Sequence, residues 1–232
     1  LQGGFDLPIQ PERQLTMDLK KTLSEQIYEI LRNDIVTQAI PCGSKLTLKI
    51  LQERFHVSST PIREALTRLA EEQLASYYSN IGVSVVSLDE TDVREIYQFM
   101  GDLDSLAVNY ASLCPDQKPI LRELAGNLAG MDACALSSPD WQDYSDRFHL
   151  IFYDYCQNSR LVHSAERMRS QMSILAYQYE KQAPKQDLIS KEHHMIFALY
   201  EAGQYGKAVA MMKEHLGHSL EFAMEICRNQ PD

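Results

Sequence analysis

The strongest constraint in this sequence is a helical periodicity that extends from Thr91 to about residue 228, with no strand pattern in between. Apolar residues recur there every three or four positions, as on one face of an α-helix. Prolines and a glycine divide the run into six segments, at about 91–113, 116–135, 139–157, 160–180, 187–202 and 204–228. Six helices with short connections predict an antiparallel helical bundle.

Three shorter helices are predicted ahead of this run. The first covers about 24–38 and ends before Pro41. The second begins after Thr47, and the third begins at Thr60-Pro61, since Thr is a good N-cap and Pro is tolerated at the first helical position. The third helix has an apolar face made of Ile62, Ala65, Leu66 and Leu69.

Two β-prone segments follow, at 75–79 and 83–88, and Asn80 to Gly82 joins them. Asn and Gly tolerate the positive φ that a tight hairpin needs. Three helices followed by a hairpin is the order of a winged helix-turn-helix. We therefore predict a mainly α protein of two domains, a winged helix-turn-helix with a small β-hairpin wing over residues 18–88 and an all-helical domain of about six helices over residues 89–230.

The net charge of −10 is unevenly distributed. Residues 18–88 carry eight basic and eight acidic side chains, whereas residues 89–232 sum to −9. A neutral domain can still present a basic face to DNA, because only the groove-facing side must attract phosphate.

Cysteine usage and hydropathy predict a cytoplasmic protein without a membrane segment. Five cysteines are scattered with no CxxC pair, which is typical of a reducing compartment. No apolar run approaches the roughly 18 residues that a membrane span needs.

The stretch KLTLKILQERFHVSSTPIREAL, which begins at Lys45, closely resembles the GntR superfamily of bacterial regulators. VSSTPIREAL is its most specific part. Together with an all-helical C-terminal domain, the chain resembles the FadR subfamily, whose effector domain is called FCD, and six C-terminal helices suit the VanR-like branch. The resemblance implies a DNA-binding transcription regulator, usually a repressor, that binds a near-palindromic operator as a homodimer. It also implies a small-molecule effector, commonly an organic acid.

The third helix is the predicted recognition helix. Hydroxyls and free backbone N–H groups at its start suit phosphate, while Arg63 can bond a guanine edge in the major groove. The family usually has an Arg at the position of Ser59, so a changed operator preference is expected. The resemblance also assigns the wing tip around Gly82 to the minor groove. The predicted DNA contacts are Lys45, Ser59, Thr60, Arg63, Arg68, Asn80 and Gly82.

Three histidines, His149, His193 and His215, each fall on the apolar stripe of a different predicted helix. One such residue alone is more often a hydrogen-bonded core histidine. Three that converge on one bundle interior are better explained by a divalent metal, with zinc as the first choice. The resemblance adds weight, because metal-binding FCD domains carry histidines at these positions; His194 is the weaker alternative to His193.

The fourth ligand is left open by the sequence. The family's metal-binding members have an Asp four residues before the first histidine, and Ser145 stands there. Asp146 follows one residue later. The site is therefore three histidines with water or effector, three histidines with Asp146, or a pocket that has lost its metal.

The effector pocket is predicted on the same bundle. Met100 stands where the family often has an Arg for the effector carboxylate, so the effector class stays open. The predicted pocket residues are Met100, Asp104, Tyr144, Phe152 and Tyr177, although an aromatic stripe at helical spacing is more often plain core.

Two other functions compete with the regulator. Three histidines with an open position also suit a metal-dependent enzyme. A helical interaction module that has lost DNA binding is the second alternative. The complete winged-helix pattern favours the regulator over both.

Overall fold

The computed structural model describes residues 21–78, 82–135 and 138–229, and the chain divides into two compact units after Leu88. As predicted, the protein is mainly α with one small antiparallel sheet. The first unit contains α1 (Leu23–Val36), β1 (Lys45–Leu46), α2 (Leu48–Phe55), α3 (Ser59–Glu71), β2 (Ala75–Tyr78) and β3 (Gly82–Val85). The second contains α4 (Glu90–Ala111), α5 (Lys118–Ala133), α6 (Pro139–Tyr155), α7 (Ser159–Tyr179), α8 (Ala183–Glu201) and α9 (Tyr205–Arg228).

The first unit is built on the packing of α1 against α3. Both helices bury the apolar faces that their periodicity predicts. Thr22 caps α1 in a capping box, in which its hydroxyl accepts from the backbone of Glu25 and the Glu25 carboxylate accepts from the backbone of Thr22. The buried residues of the two apolar faces include Ile27, Leu31, Ile35, Ile62, Ala65, Leu66 and Leu69.

A tight turn connects α2 to α3 and completes the helix-turn-helix. His56 follows α2 with a left-handed φ of 54°, and Ser58 is the N-cap of α3. The prediction that Thr60 caps this helix is therefore wrong. Pro61 is accommodated in the first turn because the N–H groups at a helix start have no intrahelical acceptor.

The wing contains one strand more than predicted. β2 and β3 form the expected antiparallel hairpin, with Tyr77 opposite Val83. β1 pairs with the other edge of β3, with Lys45 opposite Ser84, so the strand order is β1-β3-β2. Two residues are too few to show an alternating pattern. Asn80 lies outside the described residues.

The second unit contains six helices in the described residues, as predicted. The predicted start of the fifth at residue 187 is wrong, because α8 begins at Ala183 and takes Pro184 into its first turn. Helices α4 and α9 run antiparallel. Their contacts include Asp102 to Lys213, at 2.6 Å, and the Ser105 hydroxyl donating to the carbonyl of Val209.

Among the described helices none combines the length and the apolar composition of a membrane-spanning segment.

An ion pair between α1 and α2 gives a test of the first unit. Arg54 Nη2 lies 2.5 Å from Asp34 Oδ2, and both side chains are almost fully buried. Asp34→Asn removes the charge that balances the buried guanidinium, so we expect the free energy of unfolding to fall by about 3 kcal/mol. Urea denaturation of the full chain, followed by circular dichroism, measures this loss.

The matched control is Glu29→Gln, which breaks the solvent-exposed pair of Glu29 with Lys21 in the same unit. Exposed pairs contribute less than about 1 kcal/mol, so this variant should unfold almost as the wild type does. Equal losses in the two variants would contradict the buried character of the Asp34–Arg54 pair.

Candidate DNA-binding surface and metal centre

The exposed end of α3 carries the residues predicted to contact DNA. Thr60 and Arg63 are exposed, and Ser59 is half-buried. The Arg63 guanidinium makes no ion pair with any described residue. The Thr67 hydroxyl donates to the backbone carbonyl of Arg63, 2.9 Å away, and lies 3.3 Å from the hydroxyl of Tyr77 on β2. Helix and wing therefore meet along one exposed surface.

An open cleft of about 500 Å³ borders this end of α3. It lies between the first turn of α1, the α2–α3 turn and the first turn of α3. Its lining consists of Thr22, Leu23, Ser24, His56, Val57, Ser58, Thr60, Pro61 and Glu64.

Arg68 differs from Arg63 because its guanidinium is directed towards α1. The guanidinium carbon lies 3.7 Å from the centre of the Tyr28 ring, a cation–π contact. Arg68 Nε is also 3.7 Å from Glu72 Oε1, which accepts a hydrogen bond from the Tyr28 hydroxyl. These contacts join α3 to α1, a role that periodicity alone does not reveal.

The two remaining predicted contacts that are described lie in the sheet. Lys45 is exposed on β1. Gly82 is the first residue of β3, with a φ of 96°, and a Cβ at this position would meet no atom of the described residues within 4 Å. The backbone conformation there favours glycine.

The three predicted histidines converge in the interior of the second unit. His149 on α6, His193 on α8 and His215 on α9 are all buried. Their Nε2 atoms form a triangle with separations of 3.2 Å between His149 and His193 and 3.3 Å for the other two pairs. Two nitrogens bound tetrahedrally to zinc at its usual bond length lie about 3.3 Å apart. The triangle therefore fits one face of a zinc tetrahedron.

Two carboxylates contact two of these rings at Nδ1, on the side away from the triangle of Nε2 atoms. Asp104 Oδ2 on α4 lies 2.8 Å from Nδ1 of His149, and Glu192 Oε2 on α8 lies 2.7 Å from Nδ1 of His215. A carboxylate beside Nδ1 favours the tautomer that carries its proton there, which leaves the lone pair on Nε2, where a metal would bind. Glu192 Oε1 is also 2.5 Å from Nδ1 of His218.

The third ring, His193, is held by packing. It stacks on Phe148, with ring centroids 4.2 Å apart and planes inclined by 16°. Burial, followed by the nearby rings of His215 and His149, holds the pKa of His193 well below its ordinary value. Burial also lowers the pKa of His149, although Asp104 opposes the shift. Neutral imidazole is the form that a metal requires.

Asp104 connects the histidines to a buried arginine. Its Oδ1 accepts from Arg169 Nη2, at 2.8 Å, and from the Tyr153 hydroxyl, at 2.6 Å. Burial alone would raise the pKa of Asp104, but Arg169 and His149 outweigh it and hold the pKa below its ordinary range. The sequence assigned Asp104 to an effector pocket and did not reveal Arg169 or Glu192, since their partners are distant in the chain.

Neither candidate for a fourth protein ligand joins the three nitrogens. Asp146 is exposed and pairs with Arg169 Nη1 at 2.8 Å, so the alternative with Asp146 as a ligand is not supported. The Ser145 hydroxyl donates to Glu180 Oε1, at 3.3 Å. Burial, with Asp146 adding to it, raises the pKa of Glu180 to about 8. His194 is exposed beside Asp132 and is not part of the group.

The residues of the predicted effector pocket contact different residues of the second unit. Met100 is fully buried, and Phe152 packs edge-on against Phe148. The ring of Tyr144 lies against Gly130 of α5. Tyr177 is half-buried, with the Lys181 ammonium 3.5 Å from its ring centre. A single aromatic-lined pocket made of these residues stays a prediction.

Comparison with known proteins assigns each of the two units to a protein family. Residues 23–85 match the family described as bacterial regulatory proteins, gntR family, and residues 95–218 match the FCD domain. The HTH-type transcriptional repressor GlaR of Escherichia coli (strain K12) is 24% identical over 202 residues, which cover 82% of this chain and 90% of GlaR. The HTH-type transcriptional repressor RspR of the same strain is 24% identical over 213 residues, covering 90% of this chain and 92% of RspR.

Solved structures share the fold. The Escherichia coli protein McbR/YncC has a TM-score of 0.72 at 21% identity and covers 89% of this chain and 99% of its own. A putative transcriptional regulator GntR from Rhodococcus sp. RHA1 has the same TM-score at 18% identity, with 90% and 99% covered. The relatives are described as regulators, and this disfavours the enzyme alternative. The chain belongs to the GntR family of bacterial regulatory proteins, as a DNA-binding transcription regulator of the FadR-like type with an FCD domain.

Proposed function

We propose that this regulator is a cytoplasmic repressor that binds a near-palindromic operator as a homodimer and responds to a small molecule at a metal centre in its FCD domain. The observation that carries the proposal is the triangle of buried Nε2 atoms from His149, His193 and His215. Repression is the activity that the names of GlaR and RspR state for those relatives. The five cysteines are free, which supports a reducing compartment.

Operator recognition is assigned to the exposed end of α3. Arg63, without an ion pair among the described residues, is available to a guanine edge in the major groove. Ser59 and Thr60 are proposed as phosphate contacts. Lys45, Asn80 and Gly82 are proposed as contacts of the wing. Arg68 is proposed to act mainly through α1, because its guanidinium stacks on Tyr28.

The metal centre is assigned to the three histidines, with Asp104 and Glu192 as positioning residues. Zinc is favoured by the Nε2 separations and by three imidazole donors. A bound zinc would act as a Lewis acid that accepts an oxygen donor of the effector. Because Ser145 and Asp146 have other partners, a position is left for such an oxygen, and an organic acid suits it. Met100, Tyr144, Phe152 and Tyr177 are retained as candidate effector contacts.

The first prediction separates the two arginines of α3. Arg63→Ala should weaken binding to operator DNA, selected from genomic fragments by the wild type, by about 1–3 kcal/mol and relax preference at one base pair. Arg68→Ala should leave base preference unchanged and lower the melting temperature, because it removes the contact with Tyr28. Fluorescence anisotropy on single-base operator variants measures the first effect, and calorimetry measures the second.

The opposite pattern, in which Arg68→Ala relaxes base preference and Arg63→Ala does not, would place Arg68 in the groove. A loss for Arg63→Ala that is uniform across all DNA sequences would make Arg63 a phosphate contact.

The second prediction concerns metal loading. Zinc should raise the melting temperature of chelator-treated protein, because an ion that binds only the folded state stabilises it. His193→Ala should abolish this shift, whereas His194→Ala, an exposed neighbour outside the group, should retain it. Elemental analysis of protein purified without chelator should find about one zinc per chain. No metal and no thermal shift in the wild type would leave the three rings as core histidines.

The pH dependence of that shift has a definite sign. Protons compete with metal for imidazole, so the zinc-induced rise should shrink as pH falls from about 7.5 to about 5. The metal-free protein should also lose stability in this direction. The pKa values of His149 and His193 are lowered in the folded state, so the unfolded chain binds protons more readily below about pH 6.5.

The third prediction tests the carboxylate that holds His215. Glu192→Gln keeps the shape of the side chain but weakens the hold on Nδ1, so zinc affinity should fall about 10–100-fold. Glu221→Gln, on the exposed surface of α9, is the matched control and should not change it. Competition with a chromogenic chelator gives both affinities. Equal affinities for wild type and Glu192→Gln would remove Glu192 from the site.

A further inference from the structure

The side chain of Tyr77 extends from the wing to the predicted recognition helix. Strand β2 packs against α3, and Ala75 and Tyr77 lie on the same face of β2 because side chains alternate along a strand. Ala75 is 2% exposed, whereas Tyr77 is 59% exposed. Tyr77 therefore lies on the face of β2 that packs on α3, but its ring extends beyond the covered part of that face.

The Tyr77 hydroxyl belongs to the exposed surface that carries Arg63. It lies 3.3 Å from the hydroxyl of Thr67, which is exposed about one helical turn after Arg63. Residues four apart in sequence are neighbours on one side of a helix. The phenol is thus placed beside α3, close to the turn whose guanidinium is proposed to contact a base.

The hydrogen bonds of the two hydroxyls leave one proton for an outside acceptor. A Thr hydroxyl has a single proton, and Thr67 donates it to the backbone carbonyl of Arg63, 2.9 Å away. The proton between the two hydroxyls is therefore that of Tyr77. When this proton turns to another acceptor, the Thr67 proton can turn to the Tyr77 oxygen, and the Arg63 carbonyl keeps its hydrogen bond from the backbone N–H of Thr67.

We propose that the Tyr77 hydroxyl donates a hydrogen bond to a phosphate of the DNA backbone, an inference that rests on the placement of α3 in the major groove under the proposed function. The major groove is about 12 Å wide and a helix with its side chains is about 10–12 Å across, so the helix fills the groove. A side chain that lies beside the helix then meets a sugar–phosphate strand, because the base edges form the floor of the groove.

A phosphate oxygen also suits the chemistry of this hydroxyl. Tyrosine hydroxyls are among the usual donors to DNA phosphates, and such contacts fix the register and orientation of a protein on the duplex. A hydrogen bond to a charged acceptor is stronger than one between neutral groups. Since Thr67 connects the phenol to the turn of Arg63, the contact would anchor this turn of α3 on the backbone.

The test compares two tyrosines of the same strand. Tyr77→Phe removes only the hydroxyl, and it should weaken binding to operator and non-operator DNA by the same factor, about 10-fold. Tyr78→Phe is the matched control, because Tyr78 is 51% exposed on the opposite face of β2, and it should bind as the wild type does. Fluorescence anisotropy gives the affinities. An equal loss in Tyr78→Phe would overturn the assignment to Tyr77.

Salt dependence distinguishes this contact from a charged one. A phenol carries no charge at neutral pH, so Tyr77→Phe should leave the slope of log affinity against log salt concentration unchanged. Lys45→Ala removes a proposed charged contact of the wing and should reduce that slope by about one. A change of slope in Tyr77→Phe as large as in Lys45→Ala would overturn the proposal, because it would show that charged contacts of the wing had been lost as well.

A double-mutant cycle tests the part played by Thr67. Thr67→Val keeps the branched shape and removes the hydroxyl, so the phenol loses the neighbour that orients it and DNA affinity should fall. In the Tyr77→Phe background, Thr67→Val should cause no further loss, because its effect passes through the phenol. Equal losses in the two backgrounds would overturn the shared arrangement and give Thr67 a DNA contact of its own.

The outcomes separate this inference from operator recognition itself. DNA affinity that is unchanged in Tyr77→Phe would overturn the phosphate contact, and a lower melting temperature would then leave the hydroxyl pair as a contact that stabilises the wing. The effect of Arg63→Ala would not be affected by this result. If Arg63→Ala instead bound every DNA sequence as the wild type does, the placement of α3 in the groove would be refuted, and the phosphate contact with it. Circular dichroism checks that each variant is folded.

Discussion

The contact between Asp104 and His149 is the interaction on which the interior of the FCD domain depends. A buried carboxylate is strongly unfavourable unless opposite charge and hydrogen bonds surround it. Arg169 on α7 supplies the opposite charge and a hydrogen bond, and the Tyr153 hydroxyl on α6 donates a second hydrogen bond. Nδ1 of His149, also on α6, lies 2.8 Å from the other carboxylate oxygen of Asp104. Because Asp104 itself belongs to α4, one side chain fixes three helices relative to each other. It also orients the ring of His149 so that Nε2 faces the other two histidines.

The buried charges and the three imidazoles form one connected system. Glu192 repeats the role of Asp104 on the opposite side, where it holds His215 and His218. His193 lies between them and relies on stacking against Phe148. The three Nε2 atoms lie 3.2 to 3.3 Å apart, so each pair is close enough for a hydrogen bond through one Nε2 proton or for a shared ligand. Buried nitrogens need such a partner, and a metal is one that all three can share.

The sequence predicted the local features of this structure and missed the non-local ones. The helical period predicted that His149, His193 and His215 lie on inward faces. This was possible because the residues that share a face follow from their spacing within a single helix. The link from Asp104 to Arg169 joins residues far apart in the chain, and only packing creates it. Two helix starts were also predicted too late in the sequence. Helix α3 begins before Thr60 and α8 begins before Pro184, because the first turn of a helix tolerates both residues. The two-residue strand β1 depends on the neighbouring edge of β3.

Helices α4 and α9 carry different chemistry on their two sides. Asp104 and His215 lie at the histidine cluster inside the domain, while Leu106 and Gly217, each two residues further along, lie on the exposed side. Two residues on a helix are about 200° apart, so inner and outer side chains move together with one rigid element. A ligand that bound at the histidines and shifted α4 against α9 would therefore also change the outer surface of these two helices. Packed elements convert small shifts of this kind into discrete rearrangements.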